Sequence, residues 1–89
     1  MRRYVVAVCE ATRADSRVDL GASPRAGLML FRAAKALAAL SERDHVLPDD
    51  VQALAPAVLA HRLVLVPEAI TPEGAGAVVS EALDRVPAI

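Results

Sequence analysis

Residues 20–26 read Leu20-Gly21-Ala22-Ser23-Pro24-Arg25-Ala26, and the chain after them is apolar at helical spacing. Leu30, Ala34, Leu37 and Leu40 or Ser41 form one stripe, which Leu28, Phe31 and Ala38 widen, and the polar Arg32, Lys35 and Glu42 fall away from it. Ser23 suits the N-cap, where its hydroxyl can accept a backbone N–H for about 1 kcal/mol. Pro24 suits the first helical position, where its missing N–H is not needed. The spacing predicts a long helix over about 24–42 with a sharply marked start, and the rest of the fold follows as its packing partners.

Upstream, Tyr4, Val5, Val8, Cys9 and Thr12 recur at helical spacing and predict a helix over about 2–13. Residues 14–22 carry Asp, Ser and Gly and read as a loop. Downstream, Pro48-Asp49-Asp50 opens a third helix with two carboxylates in its first turn, where the helix dipole favours them. Val51, Leu54, Ala55, Val58 and Leu59 give it an apolar face, and Pro56 inside that pattern is expected to kink or split it. Residues 62–66, bounded by Pro67, form a short β-rich run that fits a strand paired with residues near His45-Val46. Thr71-Pro72-Glu73 repeats the cap-then-proline start, and Ala75, Val78, Ala82, Leu83 and Val86 supply a last helix to about residue 86. Gly74 and Gly76 weaken its first turn. The expected fold is all-α: a four-helix bundle with at most one very short two-stranded ribbon.

Composition narrows the function. Eighty-nine residues suffice for one domain. The chain is 55 % hydrophobic but only 2 % aromatic, so its core must be built of Ala, Val and Leu, which favours close helix packing. No run of 18 apolar residues occurs, so no membrane span is expected. Glu10 and Arg13 interrupt the apolar run after Met1-Arg2-Arg3 too early for a signal peptide. Cys9 stands alone, which excludes an internal disulfide or a cysteine metal cluster and fits a cytoplasmic compartment. The net charge of −1, with acidic residues interleaved among the N-terminal arginines, argues against a nucleic-acid footprint.

Catalytic signatures are missing from the sequence, and no catalytic or metal-binding residue is assigned. There is no phosphate loop of the G-x-x-x-x-G-K-[ST] kind. His45 and His61 lack ligand-like spacing and read as surface or strand-end residues. Asp49 and Asp50 are adjacent and cannot share a helix face. Arg25 is the exception. A cation in the first turn of a helix opposes the positive end of the helix dipole, unless an anion is expected there. Free N–H groups at the helix start and a guanidinium fork could then hold a phosphate together. Local physics alone favours a plain solvated arginine, because single arginines are common.

The chain resembles the C-terminal lid of MoxR-type AAA+ ATPases in three stretches. The first is Tyr4-Val5-Val6-Ala7-Val8 running to Ala11-Thr12-Arg13. The second is Leu20-Gly21-Ala22-Ser23-Pro24-Arg25-Ala26 with Arg32-Ala33-Ala34-Lys35-Ala36-Leu37-Ala38. The third is Pro48-Asp49-Asp50-Val51-Gln52-Ala53-Leu54-Ala55-Pro56 with Val58-Leu59-Ala60-His61-Arg62-Leu63. The resemblance implies that Arg25 is the sensor-2 residue, reaching the γ-phosphate of ATP with Mg²⁺ held by a separate α/β domain, and that Ser23 and Pro24 form the helix start that positions it. It implies a lid angle set by nucleotide state, partners in the chain's own nucleotide-binding domain and a neighbouring subunit of a hexameric ring, and chaperone-like remodelling or maturation of a client protein.

Two departures from the family pattern stand out. Leu47 occupies the place of a threonine before Pro-Asp-Asp, leaving that helix without its usual N-cap. The nucleotide-binding domain is absent from residues 1–89, so the chain reads as an excised lid that cannot hydrolyse ATP and needs no cofactor by itself. The alternative function is a free-standing helical module that docks a partner peptide on an apolar groove.

Overall fold

The computed structural model describes residues 1–88. Helix α1 spans Arg2–Arg13, strand β1 Val18–Leu20, helix α2 Pro24–Leu40, helix α3 Pro48–Leu59, strand β2 Val64–Leu65 and helix α4 Gly74–Arg85. Single 3₁₀ turns at Ala60–Arg62 and Pro67–Ala69 flank β2. The four-helix expectation holds, and the ribbon exists.

The core is made of small side chains. Six alanines and five valines accompany only two leucines, Leu30 and Leu59, among the buried apolar residues. Helix α2 packs most extensively on α3, while α1 lies against both α2 and α4. Tyr4 is buried, and its hydroxyl accepts a hydrogen bond from Gln52 Nε2 at 3.1 Å, tying α1 to α3. The buried row of α2 is Ala26, Leu30, Ala34 and Ala38. Leu40, placed by the spacing in that stripe, is 83 % exposed, because the row turns away from it over the last helical turn. The helix ends where Glu42 adopts a left-handed conformation (φ 60°). The N–H groups of Glu42 and Arg43 then return to the carbonyls of Ala39 and Ala38, the six-to-one closure of a Schellman end.

The ribbon corrects the expected pairing. Strand β2 pairs antiparallel with β1, Val18 facing Leu65 and Leu20 facing Val64, with Asp19 as the extra residue of a bulge. Residues 45–46 form no strand. They belong to a loop pinned by Arg43, whose guanidinium grips Asp50 at 2.6 and 2.8 Å and also reaches the His45 carbonyl at 3.2 Å. Arg62, expected in the strand, lies in the preceding 3₁₀ turn and donates to the Val58 carbonyl at 3.1 Å.

Three other expectations change. Helix α3 runs unsplit through Pro56. The ring withholds one ladder bond, and the lost bond falls close enough to the helix end for tertiary packing of Val51, Ala55 and Leu59 to hold the segment together. The first turn of α3 survives Leu47, because the Asp50 carboxylate accepts the Leu47 N–H at 2.8 Å, which is the reciprocal half of a capping box. Helix α4 starts later than its sequence signal, since Thr71-Pro72-Glu73 forms a turn closed by Gly74 N–H to the Thr71 carbonyl. Gly74 sits where a Cβ would come within 2.5 Å of the Ala69 carbonyl oxygen, so this turn requires glycine for space.

Two buried carboxylates hold the loops to the helices. Asp15 pairs with Arg17 at 2.7 Å and lies 3.6 Å from Arg85 on α4; Arg17 extends to Glu81 at 2.9 Å. Asp50 pairs with Arg43. The hydrogen bonds from Arg17 and Arg43 lower the two carboxyls to about 2. Because their folded values lie below the ordinary one, the stabilisation is complete above about pH 4 and is lost as pH falls through 4 towards 2. Thermal unfolding followed by circular dichroism should therefore give a flat midpoint from pH 7 to 5 and a steep fall below 4; a midpoint unchanged down to pH 2.5 would contradict this account.

Candidate functional site

The stretch 20–26 bridges the ribbon and α2, and the end of α1 holds it in place. Thr12 is wholly buried; its hydroxyl donates to the Cys9 carbonyl at 2.6 Å and accepts the Ala22 N–H at 3.1 Å. Arg13 Nη1 donates to the Ala22 carbonyl oxygen. Both polar groups of Ala22 are thus satisfied by two consecutive residues of α1. Gly21 allows this approach. A Cβ there would lie 2.7 Å from Arg13 Cα and 2.8 Å from Arg13 N. Gly21 has no positive φ, so glycine is needed for space and not for backbone freedom.

Ser23 caps α2 as expected, its Oγ accepting the Ala26 N–H at 3.2 Å, and Pro24 occupies the first turn. The Gly27 N–H returns to the Ser23 carbonyl at 3.1 Å. The N–H groups of Ser23 and Arg25 remain open at this helix start among the described residues. The several free N–H groups expected there reduce to two, because the cap and the proline remove the others. The attraction for an anion therefore falls on side-chain charge.

That charge is present. Arg25 is exposed, and among the described residues its guanidinium has neither a hydrogen bond nor an ion pair. Arg17, Arg43 and Arg85 each have a carboxylate within 4 Å, whereas Arg25, like Arg2, Arg3, Arg13, Arg32 and Arg62, has none among the described residues. An open groove beside the helix start is lined by Arg13, Leu20, Gly21, Ala22, Ser23, Pro24, His61 and Arg62, with no carboxylate among them. On the other side of Pro24, an apolar cleft of about 220 Å³ between α1 and α2 is lined by Val5, Val6, Cys9, Gly27, Leu28 and Phe31. Val6 and Leu28 are 51 % and 44 % exposed. Arg2 and Lys35 stand over the Phe31 ring at 5.5 and 5.8 Å. Burial raises the Cys9 thiol above its ordinary value, in keeping with a small apolar role.

The structure thus brings Ser23, Pro24 and Arg25 together at one helix start, as the sequence places them. It adds Thr12, Arg13, Gly21, His61 and Arg62, which sequence reasoning missed. The resemblance to a Thr-Arg end of the first helix was visible; its contact with Ala22, ten residues on, was not. His61 lies in the 3₁₀ turn beside Arg62, and among the described residues no group of three or more His, Cys, Asp or Glu is placed to hold a metal. Among the described residues no helix is long and apolar enough to cross a membrane.

Comparison with known proteins now defines the class. Residues 10–82 match the AAA lid domain family, and the chain belongs to it. Its relatives narrow the type. It is 48 % identical over 69 residues to the uncharacterized protein YeaC of Bacillus subtilis, and 46 % identical over 79 residues to the chaperone MoxR1 of Mycobacterium tuberculosis. These matches cover 78 % and 79 % of this chain. The fold matches the crystal structure of a proposed ATPase from Cytophaga hutchinsonii with a TM-score of 0.88 and 31 % identity, covering 99 % of this chain and 30 % of that one. This is the C-terminal lid of a MoxR-type AAA+ ATPase. The chain spans only 22 % and 21 % of the length of those two curated relatives.

Proposed function

We propose that this lid closes over ATP held by an α/β nucleotide-binding domain of the same protein, and that Arg25 senses the nucleotide by contacting its γ-phosphate. The observation that carries this reading is an exposed, unpaired guanidinium in the first turn of a well-capped helix, beside a groove that carries Arg13 and Arg62 and no carboxylate. A triphosphate fits that chemistry. The guanidinium supplies a charge-assisted fork and the Arg25 N–H a further donor. Mg²⁺ and the hydrolytic groups belong to the other domain on this reading. The lid then acts as a hinged sensor: γ-phosphate contact favours the closed angle, and its loss on hydrolysis releases it. In a ring of subunits, a hexamer on this reading, that angle couples hydrolysis to chaperone-like remodelling of a client in the cytoplasm.

The test is Arg25→Ala in the ATPase carrying this lid. ATP turnover should fall by roughly a hundredfold, the lower end of the range for removing one electrostatic contact to a developing charge. ADP affinity should barely change. Because Arg25 is exposed, the stability should stay within about 0.5 kcal/mol of the parent. Unchanged turnover together with an unchanged preference for ATP over ADP removes Arg25 from the mechanism.

A further inference from the structure

We infer that Thr12 and Arg13 are positioning residues for nucleotide sensing: by gripping both backbone polar groups of Ala22, they set the direction in which Arg25 points. The inference rests on Arg25 contacting the γ-phosphate.

Two residues, Ser23 and Pro24, separate Ala22 from Arg25, and the backbone between them has little freedom. Pro24 fixes its own φ and keeps Ser23 extended (φ −77°, ψ 164°). Ser23 is locked by its cap to Ala26. The orientation of the Ala22 backbone therefore passes directly into the first turn of α2. The two peptide units that flank Ala22 Cα are held, one at the Ala22 N–H by Thr12 and the next at the Ala22 carbonyl by Arg13. Thr12 is itself anchored to the Cys9 carbonyl inside α1. Gly21 lets the loop approach until it meets the Arg13 backbone. Helix α1 and the aim of Arg25 are thus mechanically one unit. A tilt of α1 is delivered to the guanidinium through two hydrogen bonds, and a γ-phosphate caught by Arg25 pulls on α1 by the same route.

A merely structural threonine would affect stability alone, whereas a positioning pair affects discrimination between nucleotides. The experiment measures dissociation constants for ATPγS and for ADP in the ATPase carrying this lid, with Thr12→Val, Thr12→Ser, Arg13→Ala, Arg25→Ala and the Thr12→Val/Arg25→Ala double variant. Thr12→Val preserves shape and removes both hydroxyl bonds. The preference for ATPγS over ADP should fall by about tenfold to a hundredfold in Thr12→Val and Arg13→Ala, the scale of a small misplacement of a contact group. ADP affinity should change by less than about twofold, since ADP lacks the phosphate concerned. Thr12→Ser should restore the preference. The double variant should lose no more than Arg25→Ala alone, because a misaimed residue that is already gone costs nothing further. If Arg25→Ala loses the preference but Thr12→Val and Arg13→Ala keep it, the positioning role is wrong and the sensing role stands. If Thr12→Val weakens both nucleotides equally, the threonine is structural only and the inference fails. If Arg25→Ala itself keeps the preference, the sensing role fails and takes this inference with it.

Discussion

Leu30→Ala is expected to destabilise the chain by about 3–5 kcal/mol, the upper part of the range for truncating a buried leucine. Leu30 is completely buried on the inner row of α2, which packs most extensively on α3. The cost of such a truncation depends on how far the surroundings collapse into the space left behind. Here they can collapse little. The core around it includes Ala22, Ala26, Ala34 and Ala55, whose methyl groups are fixed to backbone and have no rotamer that could swing inward. Valines supply half of the remaining buried members, and they are stiff at χ1. A domain of this size holds roughly 5–13 kcal/mol of stability in total. Losing 3 kcal/mol should lower the thermal midpoint by about 12 °C or more. Leu40→Ala on the same helix makes the comparison sharp: Leu40 is 83 % exposed and its loss should change stability by no more than about 0.5 kcal/mol. Urea titrations of both variants read the difference directly, and similar midpoints for the two would show that the core is not organised around Leu30.

The parts of this fold governed by local chemistry could be read before any coordinates. Helix α1 begins and ends where the apolar spacing places it, and α2 begins at its cap and proline. The Arg25 position follows from that start alone. What could not be read depends on contacts between distant residues. The 62–66 run looks β-like in isolation, but nothing local distinguishes residues 45–46 from 18–20 as its partner. The choice is made by Arg43 tying the first candidate to Asp50, and by Asp15 and Arg17 anchoring the second beside α4. In the same way, Asp50 looks like one of two dipole-favoured carboxylates at a helix start. Its burial and its grip on Arg43 appear only once α2 and α3 are side by side. The clamp on Ala22 belongs to this second kind. Thr12 reads from spacing as the last apolar-face position of α1, with no sign that its hydroxyl serves a loop ten residues away.

Gly21→Ala is the substitution that should disturb both stability and sensing, and its contrast with Gly76→Ala separates space from propensity. Adding a methyl to glycine usually stabilises a helix or a compatible loop, by about 0.4–1 kcal/mol, because the unfolded chain loses freedom. Gly76 lies in α4 with nothing within 4 Å of the new Cβ, so Gly76→Ala should stabilise by about that amount. At Gly21 the sign reverses. The new Cβ would overlap Arg13 Cα and N at 2.7 and 2.8 Å, and these are helix backbone atoms that cannot swing aside. Either the last turn of α1 frays or the loop lifts away from it. Overpacking of this kind costs about 1–3 kcal/mol. Lifting the loop also stretches the bonds from Thr12 and Arg13 to Ala22, so the preference for ATPγS over ADP should fall as it does in Thr12→Val. The two substitutions are chemically identical, so a shared direction of change in the thermal midpoint cannot come from alanine propensity on one side and overlap on the other. If Gly21→Ala stabilises the chain, the close approach of loop to helix is absent in solution, and the clamp that aims Arg25 goes with it.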